Sequence, residues 1–363
     1  MSQDLIIALW ELFLLFSMKK IILSLFAIII LCVVAFFVWQ TFLQKEIIVS
    51  EVSSNSEEVP FEGTYILYAL NVHDWSHPEE SAETVERVIK LHEKYQISLE
   101  VFVTDPVFQW YVQNDPELIE LMKTSSMVSM SYHIRPPVPY YGDFDWLGLS
   151  EMTKKERQEQ LLNYEQQALD LETGLPTQAP GGIYYVKQII GYAPRMVGIV
   201  DRETGGQMLA DIYQDVGVQF CVQHEGETGL GEQIYGLWLR PENYDLKLYE
   251  YEGKGKKVEE IFSEVQTQLI GNDPQFIGIK YHENNFYHEE NPWFPVFWQN
   301  YRQKTGMFSP PFDLSKALNR FRSEEEQEAH WKLYEDSLAY LVAHPDEYRA
   351  LNAVGLLEEF DWE

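Results

Sequence analysis

The sequence has few cysteines and few basic side chains. It contains 2 cysteines, and its 27 lysine and arginine residues stand against 57 aspartate and glutamate residues, so the formal net charge is −30. Cys221 is the only cysteine after residue 43, which excludes a disulfide within the domain that follows. So strong a negative charge repels phosphate backbones and anionic headgroups, and we expect no nucleic-acid partner.

Motifs of several enzyme classes are missing. No GxGxxG or GxxxxGK[ST] stretch follows a predicted strand, so we expect no nucleotide cofactor. No GxSxG turn precedes a helix, and Cys221 lies within an apolar run, which argues against covalent serine or cysteine catalysis. Residues 281–294 carry H-E-x-x-x-x-H-E, which differs from the HExxH signature of zinc proteases. The function classes that these absences leave open are metal-assisted hydrolysis and noncovalent binding.

One long apolar run is present. Residues 21–43 carry no charged side chain and follow Lys19 and Lys20, and they are long enough to cross a hydrocarbon core of roughly 30 Å. No small-residue cleavage site follows, so an uncleaved transmembrane anchor is predicted rather than a signal peptide. Residues 1–20 would be cytoplasmic, with Met18 as an alternative start. Residues 44–62 would form a flexible linker to a domain on the periplasmic or extracellular side of the cell membrane.

Apolar runs alternate with helical patterns from residue 63 onward. Strands are predicted at 65–72, 97–103, 127–132, 218–223, 234–239 and 276–281, which indicates an α/β fold with a parallel sheet. Polar residues of chemical interest follow many of the strands instead of a single switch point. We therefore expect a (β/α) barrel over residues 63–322 rather than an open doubly wound sheet, flanked by helices over residues 323–363.

Four of the predicted strands run directly into a histidine. These residues are His73, His133, His224 and His282, among only 9 histidines in 363 residues. The carboxyl ends of parallel strands meet at one mouth, so a histidine-rich site is predicted there. Imidazole serves as a base near neutral pH and as a metal ligand, and Asp74 beside His73 is suited to orienting it or binding the same cation. The competing interpretation has these side chains bonded only to backbone.

Aromatic and polar side chains follow the same strands. Rings stack on sugar faces and arginine binds oxyanions, so a set of six residues is predicted to bind a substrate glycan, with an aromatic cap over the barrel as the alternative. The set comprises Trp75, Arg135, Tyr140, Asp145, Trp146 and Trp293. His77 is interpreted as a surface residue, His288 as a loop residue, and His92 as structural because it lies at helical spacing on an apolar face.

Over residues 65–285 the order of motifs resembles the polysaccharide deacetylases of the carbohydrate esterase family 4 type. The resemblance implies a distorted seven-stranded (β/α) barrel that holds a divalent metal, most naturally zinc. His73 and Asp74 match the family's Asp-Asp pair, which implies that Asp74 binds the metal and His73 stands at the base position. His133 matches the first histidine of the H-[ST]-x-x-H ligand motif, whereas Pro137 replaces the second. IKYH is similar to the motif that carries the general-acid histidine, here His282.

Two functions follow from these observations. In the first, the protein is a metal-dependent hydrolase that removes acyl groups from a cell-envelope polysaccharide, or cleaves it as a glycosidase. Asp74 and His133 would bind the metal, with Asp143, Asp145 or His224 completing the ligand set, while His73 and His282 act as base and acid. In the second, a catalytically inactive barrel binds cell-envelope glycans. The amount of metal bound to the purified domain distinguishes these two functions.

Overall fold

The computed structural model describes residues 61–134, 145–198, 206–222, 227–269 and 274–362. Arg135, Tyr140, Asp143, His224 and the apolar stretch 21–43 lie outside these ranges. The described elements all belong to one compact unit, Glu62–Glu363. Among the described residues, no helix combines the length and the apolar character needed to cross a membrane.

Fourteen strands are found in the described ranges. They are β1 (Thr64–Val72), β2 (Leu99–Val103), β3 (Val128–Tyr132), β4 (Gln167–Asp170), β5 (Leu175–Pro180), β6 (Met196–Gly198), β7 (Phe220–Val222), β8 (Gln233–Ile234), β9 (Leu237–Leu239), β10 (Tyr244–Leu246), β11 (Gln275–His282), β12 (Trp298–Asn300), β13 (Thr305–Met307) and β14 (Tyr348–Ala350).

Ten α-helices and four 3-10 helices accompany the strands in the same ranges. The α-helices are α1 (Pro78–Tyr95), α2 (Asp105–Asn114), α3 (Pro116–Thr124), α4 (Lys154–Gln166), α5 (Gly182–Ile190), α6 (Gly206–Val216), α7 (Val258–Gln266), α8 (Phe294–Phe297), α9 (Glu324–Ala343) and α10 (Ala353–Glu359). The 3-10 helices are Leu149–Glu151, Leu248–Tyr251, Glu283–Phe286 and Leu314–Lys316.

The main sheet is a curled, mostly parallel sheet covered by helices. Its strands lie in the order β10-β11-β1-β2-β3-β6-β7-β9-β8, and only the β8–β9 pairing is antiparallel. Every residue of β1 except Asn71 is buried, as expected for a strand covered on both faces. The predicted α/β class and parallel sheet are confirmed, and the arrangement is consistent with a (β/α) barrel.

The helix α1 shows how the apolar pattern is realised. Its buried face includes Val85, Val88, Ile89 and His92, at the predicted spacing. The ring of His92 lies 2.9 Å from the Ile97 carbonyl oxygen through Nδ1 and 2.6 Å from the Tyr334 hydroxyl through Nε2. Burial lowers the pKa of this imidazole to about 4. The structural role predicted for His92 is confirmed.

Two predicted elements differ from the structure. The single strand predicted at 234–239 is a hairpin, because Tyr235 and Gly236 adopt left-handed conformations with φ of 52° and 80° that reverse the chain between β8 and β9. A polar helix is predicted over residues 154–173, but α4 ends at Gln166, where the antiparallel β4–β5 hairpin begins. Neither change disturbs the parallel sheet that carries the strand-end histidines.

The C-terminal segment contributes a strand as well as the two predicted helices. Between α9 and α10, β14 pairs in parallel with the first residues of β1, with Thr64 opposite Tyr348 and Ile66 opposite Ala350. The later residues of the same edge of β1 pair with β2, from Ala69 opposite Glu100. The strand that leads to His73 is therefore held partly by residues 348–350.

Candidate functional site

Three of the four strand-end histidines converge, as the sequence predicts. His73 follows β1, His133 follows β3, and His282 ends β11. The ring centroids of His73 and His133 are 4.9 Å apart, and those of His73 and His282 are 4.6 Å apart. His73 Nε2 lies 2.7 Å from His282 Nδ1, so the two rings form a hydrogen-bonded pair. His224 lies outside the described residues.

The electrostatics of this group favour the neutral forms of His73 and His133. Burial, followed by the charges of His282, His133 and Lys304, lowers the pKa of His73 well below its ordinary value. Burial also lowers the pKa of His133. A neutral imidazole pair with one proton between its nitrogens is able to accept a proton at one end and release one at the other.

A pocket of about 320 Å³ opens beside His282. Its walls combine aromatic rings with amide and carboxylate groups, a mixture suited to hydroxyl-rich ligands. Besides His282, the lining residues are Tyr249, Asn285, Glu289, Glu290, Asn291, Phe294, Tyr301 and Arg302. Most of them come from the segment 281–302, whose density of polar and aromatic residues was the signal available in the sequence.

A second cluster consists of Asp74, His77 and His288. It adjoins the histidine pair because Asp74 directly follows His73 in the chain. The three side chains offer potential metal-ligand atoms that all lie within 4.8 Å of one another. Their residues are 0%, 8% and 1% exposed. The interpretation of His77 as a surface residue was wrong, because Phe321 and His288 pack against its ring. His288 is likewise buried, with its ring against Phe321.

The hydrogen bonds of this cluster fit a metal ion. His288 Nδ1 lies 2.6 Å from the Arg320 carbonyl oxygen, which requires the proton on Nδ1 and leaves a lone pair on Nε2. That Nε2 atom is buried and has no hydrogen-bond partner in the described part of the chain. His77 Nε2 lies 2.9 Å from Asn319 Oδ1, which leaves its Nδ1 facing Asp74 Oδ2 at 3.4 Å. Ligand histidines are commonly oriented in this way by a bond from their other nitrogen.

Protonation of His77 is the competing explanation for the contact between its Nδ1 atom and Asp74 Oδ2 at 3.4 Å. Burial opposes protonation of His77, but hydrogen bonds to Asp74 and Asn319 and the charge of Asp74 together raise the pKa of its imidazole. An ion pair of His77 with Asp74 would neutralise that carboxylate without a metal. It would leave His288 Nε2 without a partner, however, whereas a metal ion would satisfy both histidines.

Glu283 and Tyr287 hold the turn that carries the site. Glu283 Oε1 accepts hydrogen bonds from the backbone N–H groups of His73 at 2.6 Å and Asp74 at 2.5 Å, and from Ser81 Oγ at 3.2 Å. The Tyr287 hydroxyl donates to Asp74 Oδ2 at 2.9 Å. Burial, with the charge of Asp74 nearby, raises the pKa of Glu283 to about 8. Neither residue is assigned a role from the sequence pattern.

The described residues of the predicted glycan-binding set do not line the pocket beside His282. Trp293 is 2% exposed, and its ring lies 4.3 Å from that of His73, so it has no open face to offer a sugar. Trp75 packs near Phe297. Asp145 accepts from the backbone N–H groups of Leu149 and Ser150, each at 2.6 Å, and Trp146 Nε1 donates to the Gly174 carbonyl oxygen at 3.0 Å. These side chains therefore pack against neighbouring rings or bond to nearby backbone groups.

His133 stands apart from the metal-ligand cluster. The described group that brings three potential ligand atoms together contains Asp74 but not His133. His133 Nδ1 lies 2.7 Å from the Ile134 carbonyl oxygen, and the ring of His133 lies against that of His73. The pairing of His133 with Asp74 around one metal stays a prediction.

No family model matches the chain, and no curated protein matches it. Solved structures of similar fold include 4-α-glucanotransferase from Thermococcus litoralis, at 11% identity and a TM-score of 0.43 over 82% of this chain and 41% of that one. The chain thus spans less than half of that protein. Peptidoglycan deacetylase PdaC from Bacillus subtilis is similar at 13% identity and a TM-score of 0.36 over 84% of this chain and 94% of that one. PuuE allantoinase is similar at 12% identity and 0.44 over 85% and 94%.

Polysaccharide and peptidoglycan deacetylases recur among the similar structures, and they are the kind of protein that the sequence resembles. At these identities and TM-scores the likeness describes the fold only. Any function has to be argued from the side chains of the site.

Proposed function

We propose that the protein is a metal-dependent hydrolase that removes acyl groups from a cell-envelope polysaccharide. The observation that carries the proposal is the His73–His282 pair, which joins a pocket on one side to the backbone of the metal-ligand residue Asp74 on the other. A proton-transfer pair, a set of metal ligands and a polar-aromatic cleft within one strand-end region are the parts that hydrolysis of an ester or amide requires.

Asp74, His77 and His288 would hold the metal ion. Two imidazole nitrogens and one carboxylate oxygen are a donor set that suits zinc. When bound, such an ion polarises a carbonyl oxygen or lowers the pKa of a water molecule. Tyr287 and Glu283 keep the Asp74 carboxylate and its backbone in place, and Asn319 orients the His77 ring.

His282 is the member of the pair that lines the pocket, and His73 lies behind it. In this arrangement His282 exchanges a proton with the substrate or a water molecule, and His73 Nε2 takes up or supplies that proton through the 2.7 Å hydrogen bond. His73 has a strongly lowered pKa, so it holds the added proton only transiently and returns it.

The pocket walls support a carbohydrate as the substrate. Tyr249, Phe294 and Tyr301 offer ring faces, while Asn285 and Asn291 offer amide groups for sugar hydroxyls. Glu290 is bound to Arg302 at 3.1 Å, so its charge is partly offset. A neutral or amino sugar therefore suits this pocket better than a strongly anionic one.

A binding protein without catalysis is the second candidate, and one observation favours it. The three potential metal ligands are almost fully buried, and Phe321 packs on both imidazoles. A metal enclosed in this way would stabilise the fold without meeting a substrate. The pocket beside His282 would then bind glycans only.

Acetate release from acetylated glycans tests the proposal. We expect His282→Ala to lower turnover by roughly 10²- to 10⁴-fold without loss of metal, because proton transfer by a positioned side chain contributes about that much. His344→Ala is the matched control, since His344 follows the end of α9, its Nδ1 meets the Tyr340 carbonyl oxygen, and it does not line the pocket. Glycans that bind while neither acetate nor new reducing ends form would rule out the hydrolase in favour of the binding barrel.

A further inference from the structure

A second cavity lies inside the curled sheet, below the strand ends. It has a volume of about 30 Å³, room for about two water-sized groups. Seven strands or strand ends contribute to its wall. The lining residues are Ala69, Asn71, Phe102, His133, Gly198, Val222, Arg240 and Lys280.

Two cations of this wall share one buried carboxylate. Arg240 Nη2 lies 2.6 Å from Glu242 Oε2, and Lys280 Nζ lies 2.5 Å from Glu242 Oε1. Asp245 Oδ1 is 3.6 Å from the same Lys280 Nζ, but its side chain is 36% exposed and is screened by solvent. The buried part of this network therefore carries one positive charge more than it carries negative charges.

The charge of Arg240 also acts on a second acidic group, the carboxyl of Glu100. It is buried and accepts hydrogen bonds from Ser129, Ser131 and the backbone of Ala353. Burial raises the pKa of its carboxyl to about 7, so below that pH it is mostly neutral and does not cancel the excess positive charge.

Arg240 also has an unused donor. The residue is 3% exposed, and its Nε atom has no hydrogen-bond partner in the described ranges. Because Arg240 lines the cavity, an anion held there would offset the excess positive charge beside this guanidinium. At Gly278 of β11, a Cβ atom would collide with both Glu242 and Arg240, so this glycine provides the space in which the ion pair lies.

We propose that this cavity binds a small carboxylate anion such as formate or acetate. A carboxylate matches the forked donors of arginine, and a cavity of about 30 Å³ is too small for a sugar. His133 lines the cavity and lies against His73, so the anion site adjoins the proton-transfer pair. The role of the bound anion rests on the proposed function: in a deacetylation, this cavity holds the released acetate.

The direct test is titration of the full-length, chelator-treated protein with sodium acetate at about pH 6, against sodium chloride at equal ionic strength. We expect saturable binding of one acetate per chain, followed by calorimetry or by broadening of the acetate NMR signal. Lys280→Met should weaken binding tenfold or more. Lys256→Met is the control, because that exposed lysine has its own carboxylate partner in Glu264 at 2.6 Å.

A second variant keeps the charges and reduces the space. Ala69→Val adds two methyl groups to the cavity wall, so it should weaken acetate binding more than formate binding. Equal affinities in Lys280→Met and Lys256→Met, or no saturable binding at all, would overturn the site. Acetate binding by a protein without deacetylase activity would support the site and overturn its role in holding the product.

Discussion

At the scale of the residue, Glu283 organises the site most directly. A single buried oxygen receives the backbone N–H groups of both His73 and Asp74, and so it orients the proton-transfer pair and the metal-ligand cluster together. The other carboxylate oxygen, Oε2, is buried without a hydrogen-bond partner in the described residues. Since burial raises the pKa of Glu283 to about 8, a protonated side chain with one accepting oxygen suits this position near neutral pH.

Metal binding should depend on His288 in a graded way. We expect His288→Ala, which removes a ligand, to weaken zinc binding more than Asn319→Ala does. Asn319 only orients His77, and loss of such a partner typically costs roughly 10- to 100-fold. His344→Ala should leave the affinity unchanged. The measurement is competitive zinc titration, with circular dichroism to verify folding, and equal affinity in all three variants would exclude this cluster as the metal site.

The stability of the fold should depend on pH through Glu100. The pKa of this carboxyl is about 7 in the folded chain against an ordinary 4.5, so the folded state holds the extra proton between these values. The stabilisation is present below about pH 4.5 and is lost as the pH rises to 7, up to roughly 3 kcal/mol in all.

Glu100→Gln should remove this dependence, because an amide does not ionise; its single oxygen still accepts from Ser129 and Ser131, while the Ala353 N–H loses its acceptor at every pH. Denaturant unfolding at about pH 5 and pH 7.5 measures it, with Glu328→Gln as the control, since that side chain is 70% exposed. If the free energy of unfolding changes with pH in the same way for the wild type and for Glu100→Gln, the Glu100 carboxyl does not cause the pH dependence.

Strand-end residues were predictable from sequence, whereas their partners from distant loops were not. His73, His133 and His282 each follow an apolar run, and parallel strands bring such positions together. His77 and His288 acquire their role from a loop packing in which Asn319 and Arg320 contact them. Nothing in the local pattern around His77 or His288 indicates those contacts, so both were assigned to the surface or a loop.

At the scale of the element, the β4–β5 hairpin and the start of α5 depend on a glycine. Gly182 has φ of +60°, and a Cβ atom there would collide with the Glu165 carbonyl oxygen in α4. Glu165 is itself buried and accepts a hydrogen bond from the Tyr213 hydroxyl at 2.9 Å. Residues 178–182 (QAPGG) are thus the tail of the hairpin and the first turn of the helix.

We therefore expect Gly182→Ala to destabilise the protein by roughly 2 kcal/mol or more, from left-handed strain plus the collision. Gly191→Ala separates the two causes. Gly191 has φ of +86° with nothing near its Cβ position, so its substitution should cost only about 1 kcal/mol. Free energies of unfolding from urea titrations check this order, and equal losses would show that α4 moves aside without cost.

Element type was more predictable than element boundaries. The strands β1 and β11 match their predicted strands within one or two residues. The hairpin at Tyr235 and Gly236 was missed because an apolar run on both sides of a turn has the same pattern as one longer strand. A left-handed Tyr has no clear signature in a single sequence.

At the scale of the whole molecule, the uncharged stretch at 21–43 makes the topology testable. We propose that it anchors the protein with the Glu62–Glu363 unit outside the cytoplasm, since Lys19 and Lys20 precede it. Protease added to intact cells without an outer barrier should digest this unit. A cytoplasmic protein should survive the same treatment as the control, and full protection of the unit until lysis would reverse the proposed topology.

The pairing of β14 with β1 has a consequence for the order of synthesis. Residues 348–350 are made after every other described strand, yet they complete the hydrogen bonding of the first strand of the sheet. Glu100 likewise obtains one of its donors from Ala353. A chain whose residues 348–353 are still inside the ribosome or a translocation channel therefore cannot complete the pairing of the strand that leads to His73 and Asp74. The site takes its final form only after those residues have emerged.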